Sequence, residues 1–442
     1  MAISMWPVQG DEKPITGTVH SGAYYFDETN CGYCVLRLTL RDGTTGTLGV
    51  NMMSASNFTL TRHNVSRAAL SQAKLVRGSP FNAPEKLVQG PKGTIWSLDR
   101  LGNRVAVIGP GLRPHEYDLP TPFSDAGDIV GTPRFVWVSE RRVGKIVRFA
   151  VGGKRSEFTL VHRAFMTSSL RTILGADGRI WFTDGWNVGC INEQGVVTNF
   201  RLHTLGTVND LAVGSDDRIW IVGQDGSGDK GGPFMATLDD QGGWKRFPLA
   251  FEPSTMRAAR GGFWIAGSSL SFVDNQGHER PAKLPVDDLG PKLYVVDPSN
   301  RLWFSDKYGN MILHADIDGS VTASYTTFGP AGISDMVIDH AATVWIAEPH
   351  AHVVEQYGRG LSLPPRGVNP RFLLPDSSDN LWYSDPNADV IGVIVSKTKR
   401  GRCYAFRLAT IKNCSFGRAD LVGSALKNKI ALANLKTQGG RS

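Results

Sequence analysis

Between about residues 85 and 408, apolar and polar positions alternate over runs of four to seven residues, broken by turn dipeptides, and helical periodicity is nearly absent. The stretch from Arg171 is representative. Arg171 to Ala176 is apolar-rich, Asp177-Gly178 is a hairpin turn, and Arg179-Ile180-Trp181-Phe182-Thr183-Asp184 carries the aromatic and β-branched residues of a half-buried strand. The chain resumes at Gly189-Cys190-Ile191-Asn192, turns at Gln194-Gly195, and ends with Val196 to Leu202. Four strands and three tight turns are therefore expected within one short stretch. Asp318-Gly319 before Ser320-Val321-Thr322, and Asn380 before Leu381-Trp382-Tyr383-Ser384-Asp385, repeat the same grammar.

The unit recurs eight times, marked by Trp96, Trp137, Trp181, Trp220, Trp264, Trp303, Trp345 and Trp382 at separations of 41, 44, 39, 44, 39, 42 and 37 residues. That period is the size of one four-stranded propeller blade. A lone blade cannot bury both faces, so the copies must pack on one another. The expected fold is all-β, a propeller of about eight four-stranded blades over residues 81–408. An open β-sandwich is the competing architecture, but sandwiches lack a fixed period.

Residues 1–80 do not carry the repeat. Val35 to Leu40 alternates cleanly, Arg41 to Gly46 turns, and Thr47 to Val50 returns, predicting a β-hairpin in a small β-rich N-terminal region. Ser66 to Lys74 has helical character, and Gln72 to Val76 is a candidate outer strand for the last blade. Residues 409–442 form a basic C-terminal segment. The charge of +7 is unevenly placed: residues 397–442 hold eleven Lys and Arg against Asp420, so the remainder carries a net −3. Such a segment suits an acidic partner, or is a solvated tail. Interleaved aromatics there are few, so a nucleic-acid partner is not expected. Cys31-Gly32-Tyr33-Cys34 has redox or half-zinc spacing without a second pair, and reads as a structural hairpin pair. No apolar run approaches the ~18 residues of a membrane span. A soluble protein of undecided compartment is expected.

Ile-Trp-Phe-Thr-Asp at 180–184, Leu-Trp-Phe-Ser-Asp at 302–306, Leu-Trp-Tyr-Ser-Asp at 381–385 and Tyr-Asp-Leu-Pro-Thr-Pro at 117–122 resemble blades of virginiamycin B lyase and its streptogramin-lyase-like relatives. The resemblance covers roughly residues 85–408. It implies a seven-bladed propeller, leaving seven as the alternative blade count, and an Mg²⁺-dependent elimination that opens cyclic streptogramin B antibiotics at an ester C–O bond. It also implies catalytic histidines about eleven residues before a blade tryptophan. The corresponding positions here are Glu85, Ala126, Leu170, Asn209, Pro253, Lys292, Ser334 and Arg371, and none is histidine. Glu348 matches the family's glutamate three residues after a tryptophan. Asp99, Glu140, Asp184, Asp306 and Asp385 share that repeat position, where a carboxylate accepts hydrogen bonds from the following turn.

In a blade, the start of the first strand and the loop after the second lie on one side, at the mouth of the channel. The strand starts supply Lys86, Asp128, Arg171, Asp210, Arg257, Lys292, Asp335 and Arg371. These five bases and three acids either pair with one another or leave a surplus for an anionic ligand. The loop after Trp345 adds Glu348-Pro349-His350-Ala351-His352-Val353-Val354-Glu355, where alternate residues of an extended strand would set both imidazoles on one side for a divalent metal.

Two readings are open. In the first, a non-catalytic scaffold or adaptor binds a protein partner or anionic ligand through the charged funnel and needs no cofactor. In the second, an Mg²⁺-dependent C–O lyase uses Glu348, His350 and His352 as relocated acid, base or metal groups.

Overall fold

A computed structural model describes the backbone of the strands between residues 2 and 61 and most of residues 84–405. The fold is an all-β propeller of eight four-stranded blades, each an antiparallel sheet built from consecutive strands. The blades span 84–118, 126–159, 171–200, 207–248, 253–281, 292–325, 335–362 and 372–405. Eight, not seven, is the blade count. The third blade places its strands at Arg171–Leu174, Ile180–Thr183, Val188–Ile191 and Val197–Phe200, close to the boundaries predicted from alternation. In the N-terminal region, strand Tyr33–Thr39 pairs antiparallel with Thr45–Asn51, Leu36 opposite Leu48, as the hairpin pattern predicts. The last blade draws all four strands from 372–405. Ser66–Lys74, Gln72–Val76, Cys31 and residues 406–442 lie outside the described residues.

The chain divides into two compact units, one holding the N-terminal sheets with the first two blades and the other holding Ser169–Asp385 and Ile391–Tyr404. In the first unit, Trp96, Leu98 and Val105 of the first blade pack with Ile129, Val136 and Phe149 of the second. In the second unit every sheet-to-sheet seam has its own cluster. Trp181 and Cys190 meet Leu211 and Ile221, Trp220 meets Met256 and Phe263, Trp264 meets Leu302 and Phe304, Trp303 meets Met336 and Ile346, and Ala347 meets Leu373 and Tyr383. Alternate residues of each second strand thus face opposite neighbours, which explains why these strands are buried on both sides. Each buried indole removes on the order of 200 Å² from water, an upper bound of about 5 kcal/mol.

Burying an indole also buries its N–H, which needs an acceptor. The hairpin between the first and second strands provides one. Trp181 and Trp220 donate to Asp177 and Asp216, four residues earlier, at 3.0 Å and 3.1 Å. Trp303, Trp345 and Trp382 donate to Asp297, Asp339 and Asp376, six residues earlier, at 3.0, 2.9 and 2.8 Å. The same carboxylates accept backbone N–H groups of the turn, as Asp297 does from Ser299 and Arg301. Where aspartate stands four residues back, position six back is glycine, because the indole lies over it. A Cβ on Gly175 would fall 2.6 Å from Trp181 Cδ1, and one on Gly214 2.9 Å from Trp220 Cδ1.

Candidate functional site

Antiparallel pairing brings the start of each first strand beside the end of the second. Arg171 lies opposite Thr183, Lys292 opposite Ser305, Asp335 opposite Ala347 and Phe372 opposite Ser384. The loop leaving each second strand therefore shares an end of the blade with the strand-start charges. Arg171, Lys292 and Asp335 open their strands and Arg371 immediately precedes its own, while Lys86, Asp128, Asp210 and Arg257 lie a few residues in.

In the first unit, Lys86 Nζ pairs with the buried carboxylate of Asp128. In the second unit, Asp210 serves two bases, Arg171 at 3.6 Å and Arg257 at 3.7 Å. Asp210 also accepts hydrogen bonds from Thr255 Oγ1 and the Met256 N–H of the next blade, at 2.8 and 3.0 Å, so it fastens two first strands together. Arg257 reaches onward to the carbonyls of Tyr294 and Leu293 at 3.1 and 3.3 Å. Burial pulls its guanidinium below the usual value, against the attraction of Asp210.

Asp335 repeats the backbone bonds of Asp210, which also accepts the Leu211 N–H at 3.0 Å, but among the described residues no base lies within ion-pair distance of Asp335. Its carboxylate accepts the N–H groups of Met336 and, across the seam, of Leu373, at 2.9 and 2.8 Å. Burial raises it to about 6 despite those bonds and the nearby charges of Lys292 and Arg257. Lys292 donates to the Ser334 carbonyl at 3.2 Å, and Ser334 Oγ donates to the Arg371 carbonyl at 2.8 Å. Burial lowers the Lys292 ammonium; Asp335 opposes that shift and Arg371 adds to it. Asp128 and Asp210 thus engage Lys86, Arg171 and Arg257, and Asp335 engages backbone. Among the described residues neither exposed side chain of Lys292 or Arg371 has an ion-pair partner.

The carboxylates three residues after the tryptophans fall into two kinds. Asp184 accepts from the N–H groups of Trp186 and Asn187 at 2.9 and 2.7 Å, and Asp306 from those of Asn310 and Met311 at 2.6 and 2.8 Å. Asp385 accepts from Asn369 N–H, and Asp99 pairs with Arg104 at 2.9 Å. The turn-capping role expected at this position holds for Asp184 and Asp306.

The two glutamates, one methylene longer, depart from it, and each is followed by a single 3-10 turn, Arg141–Val143 or Pro349–Ala351. Glu140 is fully buried, and burial raises it to about 7 with the Thr121 N–H at 3.4 Å as a weak partner. Glu348 is also fully buried, its carboxylate meets no hydrogen-bond donor among the described residues other than the facing Glu355 carboxyl, and burial followed by Glu355 raises it to about 8. Sequence reasoning placed Glu140 with the turn caps. Its signal was the glutamate-for-aspartate exchange in a repeat otherwise rich in aspartate.

The histidines are not arranged as alternation suggested. His350 sits inside the 3-10 turn and His352 ends it in the left-handed region at φ 59°, so no extended strand aligns the imidazoles. Both lie nearer the surface than the fully buried Glu348. His350 lies against the start of the seventh blade, its Nδ1 3.2 Å from where a Cβ on Gly332 would sit. No three His, Cys, Asp or Glu side chains among the described residues are grouped to hold an ion. These residues do not fit the Mg²⁺ that the resemblance implies.

The fold is a repeat-built β-propeller, with Lys292 opening the first strand of its sixth blade and Arg371 preceding that of its eighth. The chain belongs to the virginiamycin B lyase family, whose model matches residues 72–354. The matched stretch ends inside the seventh blade, and the eighth lies beyond it. No curated protein matches.

Similar solved structures include a streptogramin B lyase, 18% identical over 60% of this chain and 91% of its own at a TM-score of 0.49. A virginiamycin B lyase from Staphylococcus aureus is 20% identical over 60% and 92% at 0.49. The Neurospora crassa Pan2 WD40 domain is 14% identical over 59% and 86% at 0.44. No helix among the described residues is long and apolar enough to cross a membrane.

Proposed function

We propose that this protein is a non-catalytic propeller that binds an anionic group, carried by a small ligand or a protein partner, at the strand starts of its sixth to eighth blades. The observation that carries this reading is the imbalance at the mouth. In the second unit Asp210 pairs with Arg171 and Arg257, Asp335 accepts the Met336 and Leu373 N–H groups, and among the described residues the exposed side chains of Lys292 and Arg371 have no ion-pair partner. Two neighbouring cations that repel one another gain by sharing one anion. The basic segment 397–442 is proposed to meet an acidic partner separately.

Calorimetric titration with inorganic phosphate and with malonate, at fixed ionic strength against chloride, tests the reading. Saturable binding by the parent and its loss in Lys292→Ala/Arg371→Ala are expected; equal heats from both proteins would contradict it.

The second reading, an Mg²⁺-dependent C–O lyase, draws on family membership and on Glu348, whose carboxyl is raised by burial to about 8, in the direction a general acid needs. Its full burial, away from the more accessible histidines, gives that reading weaker support. Loss of a streptogramin B substrate on incubation with Mg²⁺, abolished by His350→Ala, would reverse the choice.

A further inference from the structure

Among the described residues, Trp186 and Tyr308 are the two aromatic side chains in the set of exposed large hydrophobic residues, at 55% and 70% exposure. Both stand five residues after a blade tryptophan, in the loops leaving the second strands of the third and sixth blades. Single exposed apolar side chains are ordinary. Here two loops place large rings at the same repeat position, each at the end of its own blade where the first strand starts.

Neither loop is slack. Asp184 caps the turn at Trp186, and the Gly185 carbonyl accepts the Val208 N–H of the next blade at 2.8 Å. The Gly309 carbonyl accepts the Ile333 N–H at 2.7 Å, so Tyr308 sits beside Gly332–Ser334, where His350 and the Lys292 ammonium also converge. Lys307 lies over the Tyr308 ring at 5.3 Å, and Arg171 opens the first strand beside the Trp186 loop.

Resting on the binding reading above, we infer that this blade end is a docking surface for an acidic segment of a protein partner, with Trp186 and Tyr308 as apolar anchors and Lys292 and Arg371 receiving carboxylates. Charge chooses the occupant. Lys292 and Arg371 are cationic, so an acidic chain is attracted. Tryptophan and tyrosine are among the residue types that dominate binding energy at protein interfaces. A phosphate or simple carboxylate needs only the two cations; the aromatic pair extends the site to a longer ligand.

Fluorescence anisotropy with the full chain provides the test, using a labelled Asp/Glu-rich peptide with interspersed leucine and phenylalanine, its glutamine-substituted twin and labelled oligothymidylate. The acidic peptide should bind, the glutamine twin about tenfold more weakly, and Trp186→Ala and Tyr308→Ala should each weaken binding about tenfold with thermal stability unchanged. No binding of the acidic peptide, unchanged affinity in both aromatic variants, or tighter binding of oligothymidylate would overturn the inference. Phosphate binding that depends on Lys292 and Arg371, alongside aromatic variants without effect, would sink the docking surface alone. Absence of phosphate binding would sink the reading beneath it.

Discussion

The hairpin aspartates do more for this fold than their surface position suggests. Asp297 accepts hydrogen bonds from Ser299 and Arg301 and from the indole of Trp303, so one side chain holds a turn and satisfies a buried donor. Asp297→Ala is expected to cost about 1–3 kcal/mol, because the indole N–H keeps its burial and loses its acceptor. Denaturant unfolding would measure it, and a neutral result would mean that the bond contributes nothing.

At Glu348 the sign of the pH dependence follows from its raised value. The native state holds a proton that the unfolded state, with an ordinary carboxyl near 4.5, releases earlier. Stability therefore falls as pH rises from about 4.5 to about 8, with Glu140 adding to the fall up to about 7. Glu348→Gln should remove its share of that slope and be more stable than the parent on the alkaline side. Melting temperatures that track each other across the range would contradict the buried proton.

At the scale of the element, the second strand and its two flanking turns are the unit of construction. Gly175 shows how tightly the hairpin closes beneath its indole, and Gly175→Ala should destabilise by about 1–3 kcal/mol through displacement of Trp181, read by chemical denaturation. Wild-type stability would show that the ring has room to move. Much of this scale was legible in sequence. Period-two alternation gave the strands, the tryptophan interval gave the blades, and aspartate three residues past Trp181 and Trp303 gave the turn caps.

The loop after Trp345 was not legible in the same way. Pro349 starts a 3-10 turn there, and His352 adopts a left-handed conformation that alternation cannot report. What sets Glu140 and Glu348 apart was likewise hidden: Asp99 and Asp385 at the same repeat position are buried too, and spacing does not record which carboxylates meet a donor.

At the scale of the whole molecule, family membership and eight blades set the architecture but leave the chemistry to the mouth. The eight strand-start charges were readable as a set from the repeat. Their pairing was not, because Asp210 and Asp335 make the same backbone bonds and differ in the arginines that come within reach of Asp210. Binding driven by two cations should weaken as ionic strength rises.

Anomalous diffraction from selenate soaked into crystals of the parent and of Lys292→Ala/Arg371→Ala would decide whether the mouth receives an anion. A peak within hydrogen-bond reach of both side chains is expected in the parent, and none there in the variant. A parent without a peak beside Ser334, or a variant that keeps it, would contradict an anion site built from these two cations.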